Sequence, residues 1–417
     1  MTEKQPDFLD QDIQECPYDA YTYLRDEQRI YHDPRTGMYH VSRYEDVRHV
    51  LRDAKTFSGR VISGGGELRT SEHQQKIIDL YKKKGWVPAA TLIGRDDPNH
   101  KQMRTMFNEA FRPAKINALD DFVHDTADRL FEDFVGQGHC EWVKQFAVPL
   151  PLTVIVKQMG ADLDDLWLIK SWTDAFFRRI SNMLSQEDEI ETIEKEIEAQ
   201  HYFQAIFDRL RQSPDNTLLS ELVNREIPEW GRTLNDNELH AEMMADTFVG
   251  GSETTTNALS AGVKLLIDNP SAWDRLKTDP DKYLKTFVEE VVRLESPVQC
   301  LLRRATREVE LAGVTIPENG ILAVRYGAAN RDERQFECPE ELNLDRDKPA
   351  THLAFGSGIH HCLGAPLARR ELWWGFRVLI DRVSDLRYVE GKNDFTHHPH
   401  FLLRSLKALY IEFDLEK

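Results

Sequence analysis

The segment from Phe355 to Pro366 reads F-G-S-G-I-H-H-C-L-G-A-P, and it determines more of the expected fold than any other stretch of the chain. Its glycines let the backbone turn tightly and leave room for a flat group to come close. Cys362 stands at the start of a predicted helix, whose unpaired N–H groups stabilise a thiolate. Such a thiolate can act as a nucleophile or as a single axial metal ligand. A buried structural cysteine is the plainer alternative.

The spacing of cysteines and histidines does not favour zinc or disulfides. His360, His361 and Cys362 are adjacent and cannot converge on one ion, and no second Cys/His pair follows at the required distance. The five cysteines are an odd and scattered set without a C-x-x-C pair, namely Cys16, Cys140, Cys300, Cys338 and Cys362. This usage suits a reducing cytoplasm.

A second unusual stretch lies in the middle of a predicted helix. Asn235 and Glu238 resemble a capping box, and Pro270 closes the periodic segment, which gives one helix of about 30 residues. Inside it, residues 248–256 read F-V-G-G-S-E-T-T-T. Each glycine costs about 1 kcal/mol relative to alanine. This cost suggests that another group approaches the helix closely there or that the helix itself is distorted. Packing against a neighbouring helix through small residues is the plainer explanation.

Two polar pairs lie on predicted helices. Thr254 next to Glu253 places a hydroxyl beside a carboxylate, which is what proton delivery to a buried site needs. A further helix is predicted over 280–295, where Glu290 and Arg293 lie three residues apart on one face. The E-x-x-R pattern alone is weak evidence, because it occurs by chance in most helical proteins.

Four cationic side chains could hold carboxylate groups through charge-assisted hydrogen bonds. They are His100, Arg104, Arg303 and His360. His100 and Arg104 are one helical turn apart. Taken singly, each of the four is more often a surface residue.

Together, and in this order along the chain, these segments resemble the cytochrome P450 family. F-G-S-G-I-H-H-C-L-G-A is similar to that family's haem-binding loop, so the resemblance implies haem b as cofactor and Cys362 as its metal ligand. The segment around Glu253 and Thr254 resembles the family's oxygen-activating helix and implies that both are catalytic. Glu290 and Arg293 match a structural pair of the family.

The resemblance also implies the residues that surround the haem. Gly250 and Gly251 flank the dioxygen pocket, and the four cations hold the propionates. The cofactor-binding set is His100, Arg104, Gly250, Arg303, Phe355, His360, Cys362 and Gly364.

Composition excludes several classes of protein. The chain has 417 residues, 41% hydrophobic and 30% charged, with a net charge of -18. The longest nearly apolar stretch, 146–156, is too short for a bilayer, which needs roughly 20 apolar residues. The start of the chain, M-T-E-K-Q-P-D-F, lacks the features of a secretory signal. The negative charge argues against nucleic-acid binding, and the recurrent apolar residues argue against disorder.

Length alone suggests two or three domains, but motifs that must meet at one cofactor predict one. We expect a mainly α, cytochrome P450-like domain over 1–417, with a long central helix over the haem and small peripheral sheets. Strand patterns occur at 38–42, 309–316 and 320–324. A glycine cluster at 63–66 opens a stretch to 99 that is typical of a loop. The acidic run 187–198 is interpreted as one apolar stripe with a solvated face.

These features predict a cytoplasmic monooxygenase that takes two electrons from a ferredoxin-type donor with an NAD(P)H-dependent reductase. A peroxide-driven peroxygenase and a haem-thiolate sensor without turnover are the alternatives. Since the net charge is negative, a local basic face must dock the donor, and Arg112, Arg369 and Arg370 are its candidates.

The resemblance implies a pocket for a hydrophobic small molecule, for hydroxylation or O-dealkylation. We expect its wall to contain Phe176, Phe177, Met244, Thr247, Phe248, Val298, Leu301 and Phe401. The 63–92 loop is also expected to contribute to the pocket, and Cys300 is a further candidate.

Overall fold

The computed structural model describes residues 5–61, 71–181 and 184–416, so the glycine cluster at 63–66 lies outside it. Helices dominate the described chain. They are α1 (Gln11–Glu15), α2 (Tyr18–Asp26), α3 (Tyr44–Arg52), α4 (Ser71–Lys84), α5 (Asn99–Ala110), α6 (Pro113–Asn117), α7 (Asp120–Val135), α8 (Pro149–Gln158), α9 (Leu166–Ile180), α10 (Gln186–Gln212), α11 (Leu218–Asn224), α12 (Asp236–Glu242), α13 (Thr254–Asp268), α14 (Pro270–Thr278), α15 (Pro280–Glu295), α16 (Tyr326–Ala329) and α17 (Ala365–Arg382). Across those three ranges, no helix is long and apolar enough to cross a bilayer.

The strands are short. They are β1 (Ile30–His32), β2 (Tyr39–Val41), β3 (Phe57–Ser58), β4 (His139–Glu141), β5 (Cys300–Ala305), β6 (Val309–Leu311), β7 (Val314–Ile316), β8 (Ile321–Arg325), β9 (Val383–Tyr388) and β10 (Tyr410–Leu415). The largest sheet has the order β1-β2-β8-β5-β3, with β2 and β8 parallel and the other neighbours antiparallel. β10 lies between β4 and β9, and β6 pairs with β7. The prediction of a mainly α fold with small sheets is confirmed.

The three strand patterns in the sequence correspond to β2, to the β6–β7 hairpin and to β8. The sequence does not predict β5, although it lies between β8 and β3 in the sheet. Its buried positions do not alternate regularly. Because alternation with a period of two is the main strand signal, this strand has no pattern to find.

The central helix, as we call residues 236–268, consists of α12, a π-helical segment Met243–Glu253 and α13. The side chain of Asn235 accepts from the N–H of Glu238, and the Glu238 carboxylate accepts from the N–H of Asn235, so the predicted capping box is present. The prediction of one long helix is confirmed. Its middle is π-helical, a geometry in proteins that often marks functional sites.

Side-chain hydroxyls accompany this π-helical segment. Ser252 donates to the carbonyl oxygen of Phe248 at 2.6 Å, and Thr254 donates to that of Gly250 at 2.9 Å. Hydroxyl groups that bond four residues back weaken and bend regular helices. Gly250 and Gly251 lie in the same turns and have no side chains that could pack to stabilise them.

The structure corrects the prediction of a loop over 63–99, because α4 occupies part of it. Ile77 and Tyr81 of α4 pack against Ile193 and Ile197 of α10 in a small separate core. The apolar side of α4 becomes recognisable only when α10 lies opposite it. Polar residues between the apolar ones obscure the helical period in the sequence.

The acidic run on α10 also differs from the prediction of one solvated face. Glu189 and Glu196 are 4% and 2% exposed. Tyr81 donates to Glu196 Oε2 at 2.6 Å, and Arg179 of α9 lies 2.5 Å from Glu196 Oε1. Glu189 is 2.8 Å from the ring nitrogen of His73. The buried carboxylates therefore connect α4, α9 and α10, where the sequence alone suggests solvated charge.

Glu290 and Arg293 of α15 form a fully buried ion pair, with 2.6 Å between Arg293 Nε and Glu290 Oε1. Arg346 approaches the same carboxylate oxygen at 2.7 Å. Arg293 also donates to three backbone carbonyls within 330–341. The pair thus ties α15 to the irregular chain that precedes the Cys362 segment.

We predict that Arg293→Met lowers the free energy of unfolding by about 3 kcal/mol, because it leaves part of the Glu290 charge and three carbonyls uncompensated. The matched control is Arg275→Met, since Arg275 pairs with Asp345 at 2.8 Å on the surface. That variant is expected to lose less than about 1 kcal/mol. Urea unfolding measures both. Equal losses would contradict a dominant role for the buried pair.

Candidate active site

A cavity of about 980 Å³ lies between the Cys362 segment and the central helix. One wall is the Cys loop, by which we mean Phe355–Gly364, together with the first turns of α17. The opposite wall includes Gly250, Gly251 and Thr254. The two strongest sequence patterns therefore face each other across one space, although more than 100 residues separate them.

Glycine backbone conformations hold the Cys loop. Gly356 and Gly358 have φ angles of +70° and +73°, a region that favours glycine. A Cβ atom at position 358 would lie 2.5 Å from the carbonyl oxygen of Leu51 in α3, so a side chain does not fit there. The N–H of Cys362 donates to the carbonyl of Phe355 at 2.9 Å and closes the loop.

The Cys362 side chain is exposed towards the cavity, yet it lies deep in the protein. Burial raises the pKa of its thiol, whereas hydrogen bonds from the N–H groups of Gly364 and Ala365 lower it. Arg104 and Arg369 add positive charge nearby, which also lowers the pKa. The site thus already offers donors to a sulfur that loses its proton to a metal. In the described ranges, no three His, Cys, Asp or Glu side chains cluster as ligands of one metal ion.

The four cations predicted to hold carboxylates meet at one end of the cavity. Arg104, Arg303 and His360 line it, and the ring of His100 lies 4.4 Å from that of His360. Arg104 donates to the carbonyls of Ile359 and His361 at 3.3 and 2.7 Å, which also binds α5 to the Cys loop. This end of the cavity is therefore basic.

Among the described residues, three histidine nitrogen atoms of this set have no hydrogen-bond partner. Both ring nitrogens of His100 and the Nε2 atom of His360 are buried without a hydrogen bond, although His100 Nδ1 lies 3.6 Å from Asp97 Oδ1. Burial, together with the charge of Arg303, lowers the pKa of His360 to about 3. Since buried polar atoms are almost always hydrogen-bonded, this arrangement fits an anionic group bound between the cations. Carboxylates there would raise the histidine pKa values again.

On the opposite wall, Thr254 faces the cavity but Glu253 does not. Glu253 is buried on another side of the helix, and its Oε1 lies 2.9 Å from Nζ of Lys170 in α9. Lys170 also pairs with Asp174, which is 53% exposed. Burial raises the pKa of Glu253, and the charge of Lys170 opposes that rise. The chain Asp174–Lys170–Glu253 therefore leads from the surface to the residue before Thr254.

Sequence reasoning misses Lys170, and it also misses Glu371. Glu371 of α17 is buried on the cavity wall, and burial raises its pKa to about 8, although a hydrogen bond with Thr255 opposes this. It is thus a neutral acid at pH 7. For Lys170 no local sequence signal exists, because its partner is 83 residues away. For Glu371 the signal is a carboxylate on the apolar side of the helix that follows Cys362.

The structure separates the expected pocket residues into two groups. Phe176, Met244, Thr247, Val298 and Leu301 line the cavity. Three others lie outside its wall, which corrects the prediction for them, namely Phe177, Phe248 and Phe401.

Each of these three rings packs elsewhere. Phe177 contacts the ring of His400, and Phe248 contacts Phe203. Phe401 belongs to a separate core cluster. Cys300 belongs to the same cluster and does not line the cavity either. The spacing of aromatic residues in the sequence does not show whether a side chain faces the hydrophobic core or the cavity.

The expected basic docking face is partly neutralised. Arg369 pairs with Glu289 of α15 at 2.6 Å, and the ring of His352 lies 2.9 Å from the same carboxylate. These partners outweigh burial and lower the pKa of Glu289 to about 2. Arg370 and Arg112 are more exposed, and their ion pairs with Asp120 and Glu109 are longer, at 3.4 and 3.8 Å.

Comparison with known proteins agrees with this geometry. Residues 152–408 match the sequence model of the family described as Cytochrome P450. Cytochrome P450 107B1 of Saccharopolyspora erythraea is 31% identical to this chain, and the match covers 97% of both chains. The steroid C26-monooxygenase of Mycobacterium tuberculosis is 29% identical, and the match covers 94% of this chain and 93% of that protein. The structure of CYP109E1 from Bacillus megaterium in complex with testosterone has a TM-score of 0.80 and 28% identity, covering 95% of this chain and 99% of that one.

We predict that Gly358→Ala destabilises the protein far more than Gly391→Ala. Both glycines have positive φ angles, +73° and +70°, so both variants lose about 1 kcal/mol from backbone strain. Only at position 358 does the added methyl group overlap another atom. We therefore expect Gly358→Ala to lose about 2 kcal/mol more of the free energy of unfolding than Gly391→Ala. Thermal unfolding of the two variants measures the difference. Equal shifts would show that the contact with Leu51 does not constrain the Cys loop.

Proposed function

The chain belongs to the cytochrome P450 family, and we propose that it inserts one oxygen atom from O2 into a hydrophobic small molecule. As a member it is a monooxygenase of the oxidoreductase class, with haem b as cofactor. The observation that carries the proposal is the Cys362 thiol facing Gly250 and Thr254 across one cavity. Hydroxylation and O-dealkylation are the reaction types that we propose.

The residues on the cavity wall fit haem b. Cys362 would bind the iron, and the unpartnered nitrogens of His100 and His360, with Arg104 and Arg303, would hold the carboxylates. Phe355, Gly364 and Gly250 complete the proposed binding set. When bound, haem supplies the iron at which dioxygen is activated by two electrons. The protein's own side chains bind the substrate and deliver the protons.

Proton delivery is the main task of the central helix. Glu253 is buried next to Thr254 in the chain, and burial raises its pKa while the charge of Lys170 opposes that rise. Its partner Lys170 contacts the exposed Asp174, so protons can be replenished from solvent when the ion pair opens. The hydroxyl of Thr254 then donates the proton into the cavity. To do so, it breaks its hydrogen bond with the carbonyl of Gly250.

The cavity supports a hydrophobic substrate. Phe176, Met244, Val298 and Leu301 provide apolar contacts, and the volume of about 980 Å³ is shared by haem and substrate. A relative is a steroid monooxygenase, and a structural neighbour holds testosterone. We therefore propose a rigid apolar body of comparable size.

The electron donor that we propose is a ferredoxin with an NAD(P)H-dependent reductase. A net charge of -18 repels an acidic donor at long range, so docking depends on exposed arginines near the Cys loop. Arg112 and Arg370 remain candidates because they are more exposed than Arg369 and their ion pairs are longer. Arg369 contributes less, since Glu289 neutralises it.

We predict that wild-type protein shows the thiolate-type Soret band in the reduced carbon monoxide spectrum and that Cys362→Ser abolishes it. The reason is that Cys362 is the sulfur on the cavity wall. Cys16→Ser is the matched control, because Cys16 is exposed and distant from the loop in sequence. A wild-type spectrum without this band would overturn the proposed function.

We predict that Thr254→Ala continues to consume NAD(P)H while product formation falls roughly tenfold or more and peroxide rises. Thr254→Ser should restore coupling, since it keeps the hydroxyl. Thr256→Ala is the control, because Thr256 donates to Ala147 within the core at 3.0 Å. The ratio of product to NAD(P)H measures coupling, and an unchanged ratio in Thr254→Ala would contradict its role.

A further inference from the structure

Two carboxyl groups line the cavity on the central helix before Thr254, with Asp246 eight residues and Glu242 twelve residues ahead of it. Glu242 and Asp246 lie one turn apart and both contribute to the cavity wall. Glu242 Oε1 accepts from the N–H of Leu92 at 2.6 Å, and Asp246 Oδ2 accepts from that of Ile93 at 3.1 Å. These bonds fix the orientation of both carboxyl groups without neutralising their charge.

Neither carboxyl group has a cationic partner. Among the described residues, no Arg, Lys or His forms an ion pair with Glu242 or Asp246. Arg95, the cation that acts on Glu242, lies 3.2 Å from Glu238, and Arg232 pairs with Glu238 as well. These charges are therefore occupied elsewhere.

Glu242 also has an unused oxygen atom. Glu242 is 1% exposed, and its buried Oε2 atom has no hydrogen-bond donor among the described residues, although the Asp246 side chain acts on this carboxyl group. Burial and the neighbouring Asp246 raise the pKa of Glu242 well above its usual range. Burial also raises the pKa of Asp246, while the N–H of Ile93 and the hydroxyl of Thr91 oppose this. The two side chains also interact with each other directly through a hydrogen bond.

Arg179 and Glu196, in contrast, are two charged residues of the cavity wall that neutralise each other. Arg179 pairs with Glu196, which also accepts from Tyr81. A buried carboxylate without a cation is costly, since burying an unpaired charge or polar group opposes folding. A bound cation would remove that cost.

We propose that the Glu242–Asp246 pair binds a basic nitrogen of the substrate, which makes the substrate a hydrophobic molecule with a protonated amine. This inference rests on the proposed function and names the substrate class for the same cavity. Asp246 precedes Thr254 by eight residues on the same helix, so the amine lies nearer to the start of the central helix than the oxidised carbon does. The apolar wall between them holds the body of the molecule.

Two probes test the charge preference on purified ferric holoprotein. Decyltrimethylammonium is a cation that cannot ligate iron through its nitrogen, and 1-dodecanol is a neutral molecule of similar length. Binding is followed by calorimetry and by the spin-state shift of the Soret band. Competition between the two probes establishes that both occupy the cavity.

Asp246→Asn removes the charge but keeps an oxygen that can accept from the N–H of Ile93. We expect it to weaken binding of the cation roughly tenfold or more and to leave dodecanol within about twofold. The matched control is Asp164→Asn, which removes one charge from an exposed 3₁₀ turn. Asp246→Ser provides a second neutral variant if the first does not fold.

Equal weakening of both probes would overturn the inference, because the pair would then only anchor the 92–94 turn. Equal effects of the substitutions at 246 and 164 would also overturn it, since the cation would then bind the acidic surface. Either result with an intact thiolate-type carbon monoxide band leaves the proposed function standing. Absence of that band in wild type refutes the proposed function instead.

Discussion

One sulfur atom has to face a cavity from the start of a helix, and much of the structure serves that constraint. The Cys loop can approach α3 only because position 358 has no side chain against the carbonyl of Leu51. Arg104 binds two carbonyls of the loop from α5. Adjacent glutamates of α15 support it from the other side.

Glu289 binds His352, which precedes the loop, and Arg369, which follows it. Glu290 meanwhile holds Arg293 and the chain before the loop. A single helix thus clamps the loop at both ends through two consecutive carboxylates. This explains why one E-x-x-R pattern, weak as sequence evidence, has a structural effect far beyond its own turn.

The sequence predicts those parts of the site that depend on local geometry. Glycines next to Cys362, and a helix that tolerates glycines and threonines, are visible because each violates a local preference. The partners of Glu253 and Glu196 are invisible, because Lys170 and Tyr81 approach from distant segments and resemble ordinary surface residues. The same limit explains Phe248, since only the position of Phe203 determines which side of the helix is core.

Charge pairing inside the protein decides what the cavity can bind, more than the net charge of -18 does. Two buried ion pairs neutralise their own charges, namely Lys170 with Glu253 and Arg179 with Glu196. In the described residues, no carboxylate forms an ion pair with Arg104 or Arg303, and no cation forms one with Asp246. The cavity therefore has a positive end beside the Cys loop and a negative end two turns before Thr254. Because fields from unpaired charges act strongly where water is excluded, the proposed substrate with a basic nitrogen would be oriented by these two ends of the cavity.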